Sequence, residues 1–206
     1  MKKIIFAVLL LGAFFTSCSD DDDEELLKDK EHLTWVDLGL SVKWASGNLG
    51  ADCPEGAGMY FAWGETLPKT SYDVENSLAW HQDFYDITGS QRYDAAHVHW
   101  GREARIPTAN EFKELVDRCS WKNVTMNGVN GMQVTGPNGN KIFLPAAGYC
   151  IGIRKEKRLS YGLYWCSTPY ITNNDYSFAM KFDLYGKHDI ETYGREYGLS
   201  IRPVHQ

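Results

Sequence analysis

The chain has 206 residues, of which 43% are hydrophobic and 14% aromatic, and it carries a formal net charge of -6 at pH 7. Because nucleic-acid binding needs a basic surface, this acidic balance excludes nucleic acid as an expected partner. With an N-terminal segment of about 30 residues set aside, the remaining length suits a single domain.

The N-terminal segment has the pattern of a secretion signal. Two lysines precede an apolar run over residues 4–15, which is shorter than the roughly 20 residues that a membrane-spanning helix needs. The sequence FTSC at residues 15–18 resembles the lipobox at which signal peptidase cleaves bacterial lipoproteins before a lipid-modified cysteine. This resemblance implies a signal peptide over residues 1–17 and a lipid on Cys18 that anchors the chain to a membrane. The alternative is a soluble secreted protein with an incidental cysteine.

An acidic run follows this cysteine. The six consecutive carboxylates of DDDDEE, residues 20–25, repel one another and are costly to bury, so the run is expected to lie in water. We expect residues 18–33 to form an acidic, flexible tether. The run also resembles the export signal that sends Bacteroidota lipoproteins to the outer face of the outer membrane, and the residues concerned are Ser19, Asp20, Asp21, Asp22 and Asp23. The resemblance implies a cell-surface protein, whereas a plain spacer would leave the domain in the periplasm.

The domain, residues 34–206, begins with strand-like segments. Every second residue from 36 to 44 is apolar, which predicts a strand with one buried face. The sequence MYFAWGE, residues 59–65, predicts another short strand. Residues 66–93 show no period but are rich in aromatic side chains, so they predict an irregular, ordered insertion.

One main helix is predicted at about residues 109–119. Thr108 stands three residues before Glu111, which is the spacing of a capping box at a helix start. Apolar side chains then recur at i, i+3, i+4 and i+7, namely Phe112, Leu115, Val116 and Cys119. This pattern predicts a helix with one buried face.

Hairpin signals dominate the rest of the chain. MQVT and KIFL flank GPNGN, and an Asn-Gly pair favours the positive φ angles of tight turns, so residues 132–144 are predicted to form a hairpin. YSFAMKFD, HDIETY and GLSIRPV predict further strands near the C-terminus. Together these elements predict an α+β fold of short antiparallel strands, one main helix and long irregular loops.

Six segments in this order resemble one protein family: VDLGLSVKWASGNLGA, YFAWGE, RIPTANEFKEL, GPNGNKIFLPAAGY, GLYWCS and LSIRPV. The family is the Fibrobacter succinogenes major paralogous domain of exported proteins and lipoproteins in Bacteroidota, and the likeness covers roughly residues 34–204. It is similar to the C-type-lectin-like fold and, more distantly, to formylglycine-generating enzymes. The resemblance implies a framework whose first and last strands lie close together and whose irregular loops form a binding face. It implies recognition more than catalysis.

The cysteines leave two readings open. Cys150 and Cys166 flank what resembles one hairpin, so we expect a cross-strand disulfide, with buried thiols as the alternative. Formylglycine-generating oxidases use a cysteine pair, but the contexts AAGYC and YWCS do not match its catalytic arrangement. We therefore expect no catalytic residue and no cofactor.

Two stretches carry side chains that metals can bind. In a strand, His97 and His99 would lie on one face, but no third ligand is evident nearby. Asn173, Asn174 and Asp175 offer oxygen atoms suited to calcium, although a polar turn explains them equally well. The E-P-N, Q-P-D and W-N-D motifs of calcium-dependent lectins do not occur in the sequence. We expect no bound metal.

The remaining binding signal is aromatic. Ten of the 37 residues from 161 to 197 are Phe, Trp or Tyr, and alternation places Phe178, Met180 and Phe182 in the core. Tyrosines near turns, together with polar neighbours, predict a ligand-binding loop face formed by Tyr170, Asn173, Asn174, Asp175, Tyr185, His188 and Tyr193. The alternative is that these tyrosines only cover a small β core.

The expected function is therefore binding of a glycan or a surface protein by a lipid-anchored domain that is not an enzyme. Two alternatives from other classes stay open. One is a structural subunit of the envelope or of fimbriae, and the other is a degenerate enzyme of the formylglycine-generating kind or a hydrolase.

Overall fold

The computed structural model describes residues 33–101 and 103–206. The predicted signal peptide and the lipidation and export residues, Cys18, Ser19 and Asp20–Asp23, lie outside the described residues, as does nearly all of the tether. Within the described ranges the fold is α+β, with small antiparallel sheets and few helices. No helix of this part of the chain is long and apolar enough to cross a membrane.

The strands and helices of the described ranges follow in chain order. They are β1 Trp35–Asp37, β2 Lys43–Ala45, α1 Ala95–Trp100, α2 Ala109–Arg118, β3 Ser120–Met126, β4 Val129–Thr135, β5 Lys141–Pro145, β6 Tyr149–Ile151, β7 Arg154–Glu156, β8 Tyr161–Pro169, β9 Tyr176–Asp183, β10 His188–Gly194 and β11 Val204–His205. The strands form sheets in the orders β1-β2-β11, β10-β9-β8, β3-β4-β5 and β6-β7. The first and last strands thus share one sheet.

The helix and hairpin predictions are confirmed. In α2 the Thr108 side chain accepts a hydrogen bond from the Glu111 amide, and the Glu111 carboxylate accepts one from the Thr108 amide. These reciprocal bonds satisfy amides that have no partner inside the helix. The β4–β5 hairpin pairs Met132 with Leu144, as the GPNGN turn requires.

The prediction of one strand over residues 36–44 is wrong. This segment forms two strands, β1 and β2, that pair with each other. Gly39 adopts a φ of 73° in the connection, which suits a residue without a Cβ atom. Leu38, Val42 and Trp44 are nonetheless all buried. The alternation therefore predicted correctly which side chains are buried, but it did not predict that the backbone turns and forms two strands.

The sheet β8-β9-β10 separates two hydrophobic clusters. Helix α2 packs on one face, where even-numbered side chains of β8 and β9 join its core, among them Tyr164, Met180 and Phe182. On the other face, odd-numbered side chains such as Leu163, Trp165 and Ala179 pack with a second cluster around Trp63 and Leu199. Side chains alternate across a sheet, so each strand contributes to both clusters. The second face carries the cavity described next.

Candidate functional site

A cavity of about 210 Å³ opens on the face of the β8-β9-β10 sheet that lies opposite α2. Four of its lining residues are tyrosines and two are lysines. We call it the tyrosine pocket, and it is lined by Tyr149, Lys157, Tyr161, Leu163, Lys181, Tyr193 and Tyr197. The residues come from β6, the turn before β8, all three strands of the sheet and the loop after β10.

Strand register brings the pocket residues together. Leu163 of β8 lies directly opposite Lys181 of β9, and Ser177 of β9 lies opposite Tyr193 of β10. Opposite residues in antiparallel strands point to the same face, so Lys181 and Tyr193 project to the side away from α2. Tyr161 is two residues before Leu163 and shares that face.

The tyrosine rings form a half-buried aromatic wall. The ring centroids of Tyr149 and Tyr197 are 5.6 Å apart, and those of Tyr193 and Tyr197 are 6.2 Å apart with an interplanar angle of 67°. These separations lie within the range of favourable aromatic pairs. All four rings pack against the second hydrophobic cluster, which fixes their positions. The wall is therefore formed before any ligand arrives.

An ion pair between Lys181 and Glu191 determines the charge at the sheet side of the tyrosine pocket. The Lys181 Nζ atom lies 3.0 Å from Glu191 Oε2 and 5.7 Å from the ring centroid of Tyr161. Burial lowers the pKa of Lys181, but its hydrogen bond to Glu191 and the neighbouring Tyr193 outweigh burial, so the net shift is upward. Burial raises the pKa of Tyr193 to about 12, and its hydroxyl donates to Glu191 Oε2 at 3.2 Å. At neutral pH the pocket thus holds an ammonium group and a protonated phenol.

The lining of the tyrosine pocket combines flat apolar rings, phenol hydroxyls and ammonium groups. Aromatic rings with hydroxyl tips bind ligands that are apolar on one face and polar at the edge.

Of the seven residues predicted to form one loop face, only Tyr193 lies in the tyrosine pocket. Asp175 accepts a hydrogen bond from the His81 amide at 3.0 Å, and its own amide donates to Asn173 Oδ1 at 2.9 Å. Asn174 donates to Asp83. These contacts tie the β8–β9 loop to the irregular segment 66–93, and the same residues line an open cavity of about 540 Å³ at this junction.

The other predicted face residues lie elsewhere. Tyr185 and His188 stand at the β9–β10 turn, at the far end of β9 from the 170–175 loop. The His188 ring stacks on Trp121 with centroids 4.5 Å apart, while Tyr185 is 98% exposed. Tyr170 packs edge-on against Phe178. The β9–β10 hairpin thus places Tyr185 and His188 at the opposite end from the 170–175 loop, so the seven residues do not come together on one face.

The predicted disulfide is also contradicted, since Cys150 and Cys166 are both free thiols. Cys150 on β6 packs in a small cluster with Tyr60 and Tyr72, whereas Cys166 on β8 belongs to the core beneath α2. The two side chains thus enter separate clusters. Burial raises the pKa of both thiols, which disfavours the reactive thiolate.

The histidine pair lies on a helix rather than on a strand. His97 and His99 belong to α1, where residues two apart point in different directions. His99 Nε2 lies 2.6 Å from the Thr66 carbonyl oxygen. Across residues 33–101 and 103–206, no group of three or more His, Cys, Asp or Glu side chains is placed to hold a metal ion.

Sequence reasoning missed most of the pocket. Tyr149, Lys157, Tyr161 and Lys181 were not selected, because each looks ordinary in its local segment. One signal was present: in YSFAMKFD, alternation assigns Lys181 to the face opposite Phe178, Met180 and Phe182. The partners of that lysine depend on strand register, which local sequence leaves open.

Comparisons with known proteins do not extend this picture. Searches of protein-family models, curated proteins and solved structures found no match to the chain. The resemblance to the major paralogous domain therefore rests on its sequence segments alone, and function is inferred from the pocket residues.

Proposed function

We propose that this protein is a lipid-anchored binding protein of the outer membrane surface that captures glycans in its tyrosine pocket. The observation that carries the proposal is the convergence of four tyrosines, from three separate strands and a loop, on one cavity. A small core needs tyrosines to cover it, but covering alone does not require their rings to surround an open space.

The chemistry of a sugar ring fits this wall. A pyranose presents apolar C–H groups on a face and hydroxyl groups at its rim, and tyrosine offers a matching ring and hydroxyl. Because the rings are already held by the second cluster, little conformational entropy is lost on binding. The volume of about 210 Å³ lies below the roughly 300–1,000 Å³ of sites for drug-sized ligands. This size favours one sugar ring of a longer chain.

Other features support the wider proposal. The first and last strands flank β2 in one sheet, which is compatible with the C-type-lectin-like framework that the resemblance implies. The lipobox-like FTSC and the acidic run support a lipid anchor and export to the cell surface. A glycan on a host cell, in the diet or on another microbe would be accessible from that location.

The enzyme alternative is less well supported. A formylglycine-generating mechanism needs reactive cysteines, and burial raises the pKa of the Cys150 and Cys166 thiols in their separate clusters. A glycosidase needs two carboxyl groups facing the sugar. In the described chain Glu191 is the carboxylate bonded to pocket residues, and it is already held by Lys181 and Tyr193.

A glycan array with the full-length protein tests the proposal. We expect Tyr161→Ala to reduce array binding about tenfold, because one stacked ring contributes on the order of 1–2 kcal/mol. Tyr185→Ala is the matched control, since Tyr185 is 98% exposed at the distant β9–β10 turn. Equal losses in both variants, or no glycan binding by the wild type, would contradict the proposal.

A further inference from the structure

Two of the residues that line the tyrosine pocket are cationic, although the whole chain has a net charge of -6. Lys157 and Lys181 line the cavity itself. Along the chain Lys157 is flanked by Arg154, Lys155 and Arg158, but Arg154 pairs with Glu156 at 3.6 Å and Lys155 lies over the Tyr60 ring. This run of charge has no role in the neutral-sugar contacts described above.

The two lining lysines differ in their partners. Lys181 forms an ion pair with Glu191 at 3.0 Å, so its charge is largely balanced. The Lys157 backbone carbonyl accepts hydrogen bonds from the amides of Ser160 and Tyr161, both at 3.1 Å. These bonds fix the turn that presents Lys157 to the cavity. Its ammonium group has no hydrogen bond or ion pair with any residue that the structure describes.

The fold holds Lys157 in an uncommon backbone conformation. Its φ is 55°, in the left-handed region that non-glycine residues rarely occupy. A glycine or asparagine would fit this position with less strain. The chain therefore places an unpaired cation at the wall of an aromatic cavity. The turn that holds this lysine would be less strained with a glycine or an asparagine in its place.

We propose that the pocket selects anionic glycans, with the carboxylate or sulfate of the sugar bound by Lys157 while the sugar ring lies on the tyrosine wall. This inference rests on the proposed function and narrows its ligand class. Lysine acts as a point charge and does not require the planar geometry that arginine matches, so it suits either anion. Arg158, which follows Lys157 in the chain, adds to the positive potential for such a ligand.

Matched charged and neutral sugars test the inference on the full-length protein by isothermal titration calorimetry. One pair is tetragalacturonate and its methyl ester, and the other is sulfated lactose and lactose. We expect at least one charged probe to bind about tenfold more tightly than its neutral partner at about 50 mM salt, and to lose most of this advantage at about 500 mM salt. The pair that shows the difference identifies carboxylate or sulfate as the anion.

Two lysine variants locate the effect. Lys157→Gln should reduce the preference for the charged probe about fivefold. It should leave the fold unchanged, because the Lys157 ammonium group has no partner among the described residues. Lys122→Gln removes the same charge from exposed β3, whose neighbour Trp121 contacts Phe182 on the α2 side of the sheet, and should leave the preference unchanged.

The outcomes separate the two proposals. If neutral sugars bind as tightly as charged ones, or Lys157→Gln has no effect while Tyr161→Ala abolishes binding, the anion inference falls and the glycan pocket stands. The same holds if neither charged probe binds while an array glycan does. If no sugar of any kind binds, both proposals fail.

Discussion

Arg195 is a buried arginine that joins the irregular segment 66–93 to strand β9. Its Nη1 atom donates to the Gln82 carbonyl at 2.7 Å and to the Ala79 carbonyl at 3.2 Å. Its Nε atom donates to Ser177 Oγ at 3.0 Å and to the Tyr176 carbonyl at 3.2 Å. The side chain thus supplies donors to four acceptors, two in the irregular segment 66–93 and two on β9, in a place that water reaches poorly.

The guanidinium group of Arg195 is also enclosed by aromatic rings. It lies 4.5 Å from the ring centroid of Trp63 and 5.5 Å from that of Phe84. Burial lowers the pKa of Arg195 to about 10, although the negative charges of Asp175 and Asp83 oppose this shift. Arg195 is therefore still charged at pH 7, and its charge is stabilised mainly by carbonyl dipoles and aromatic faces.

Arg195→Leu should destabilise the protein by about 3–5 kcal/mol, because each buried acceptor left without a donor costs on the order of 1–3 kcal/mol and part of the loss is relieved by water. For a domain of this size the midpoint of thermal unfolding should fall by about 10 °C. Urea unfolding followed by tryptophan fluorescence measures the change, since Trp63 lies beside the mutated site.

Two further variants sharpen this test. Arg195→Lys keeps the charge but loses the planar fork of donors, so it should fall between the wild type and Arg195→Leu. Arg158→Leu removes an exposed arginine and should change the free energy of unfolding by about 0.5 kcal/mol or less. A loss below about 1 kcal/mol for Arg195→Leu would refute the reasoning, because it would show that the acceptors find other donors.

Three other results are expected. Thr108→Ala should lower the free energy of unfolding by about 1 kcal/mol, since the Glu111 amide loses its acceptor at the start of α2; urea unfolding measures it. Burial raises the pKa of Glu114, but hydrogen bonds from Ser41 and Arg118 outweigh burial and hold the pKa below its usual 4.5. The stability that Glu114 contributes is thus present above about pH 4.5 and is lost as the pH falls through the lowered pKa. In a plot of the free energy of unfolding against pH, Glu114→Gln should therefore show a smaller decrease on the acid side. Without reductant, iodoacetamide should label Cys150 and Cys166 in the unfolded chain but not in the native one.

A control variant or a contradicting outcome exists for each of these three predictions. Thr108→Ser should retain most of the stability, because serine also accepts at the N-cap, and an equal loss would point to the methyl group instead. If Glu114→Gln leaves the acid side of the plot of unfolding free energy against pH unchanged, the Ser41 contact does not stabilise the fold. If mass spectrometry found Cys150 and Cys166 unlabelled after unfolding, the two thiols would be linked after all.

The parts of the fold that sequence predicts well are those fixed by near neighbours. The capping box at Thr108, the apolar spacing of α2 and the GPNGN hairpin all depend on residues within a few positions of one another. The alternation in residues 36–44 was misleading because a chain that turns at Gly39 can still bury every second side chain. Which side chains are buried depends on where the core lies, whereas the secondary structure also depends on where the chain turns.

The candidate site was predictable only in part, because it depends on which strands pair. Tyr193 was selected from its aromatic type, but Lys181 and Tyr161 reach it only through the β8-β9-β10 register. Asn173 and Asp175 were selected as polar loop residues, and the structure uses them to fasten that loop. Residue type alone does not distinguish a side chain that awaits a ligand from one that already has a partner.

The central claim is that the tyrosine pocket is the glycan site, and NMR of tyrosine rings tests it most directly. Full-length protein with isotope-labelled tyrosine would be titrated with tetragalacturonate. The account predicts that ring signals shift for the four tyrosines that line the cavity, namely Tyr149, Tyr161, Tyr193 and Tyr197. Tyr170 and Tyr185, which lie outside it, should not move. Shifts confined to Tyr170 or Tyr185, or the absence of any shift with a glycan that the protein binds, would contradict the account.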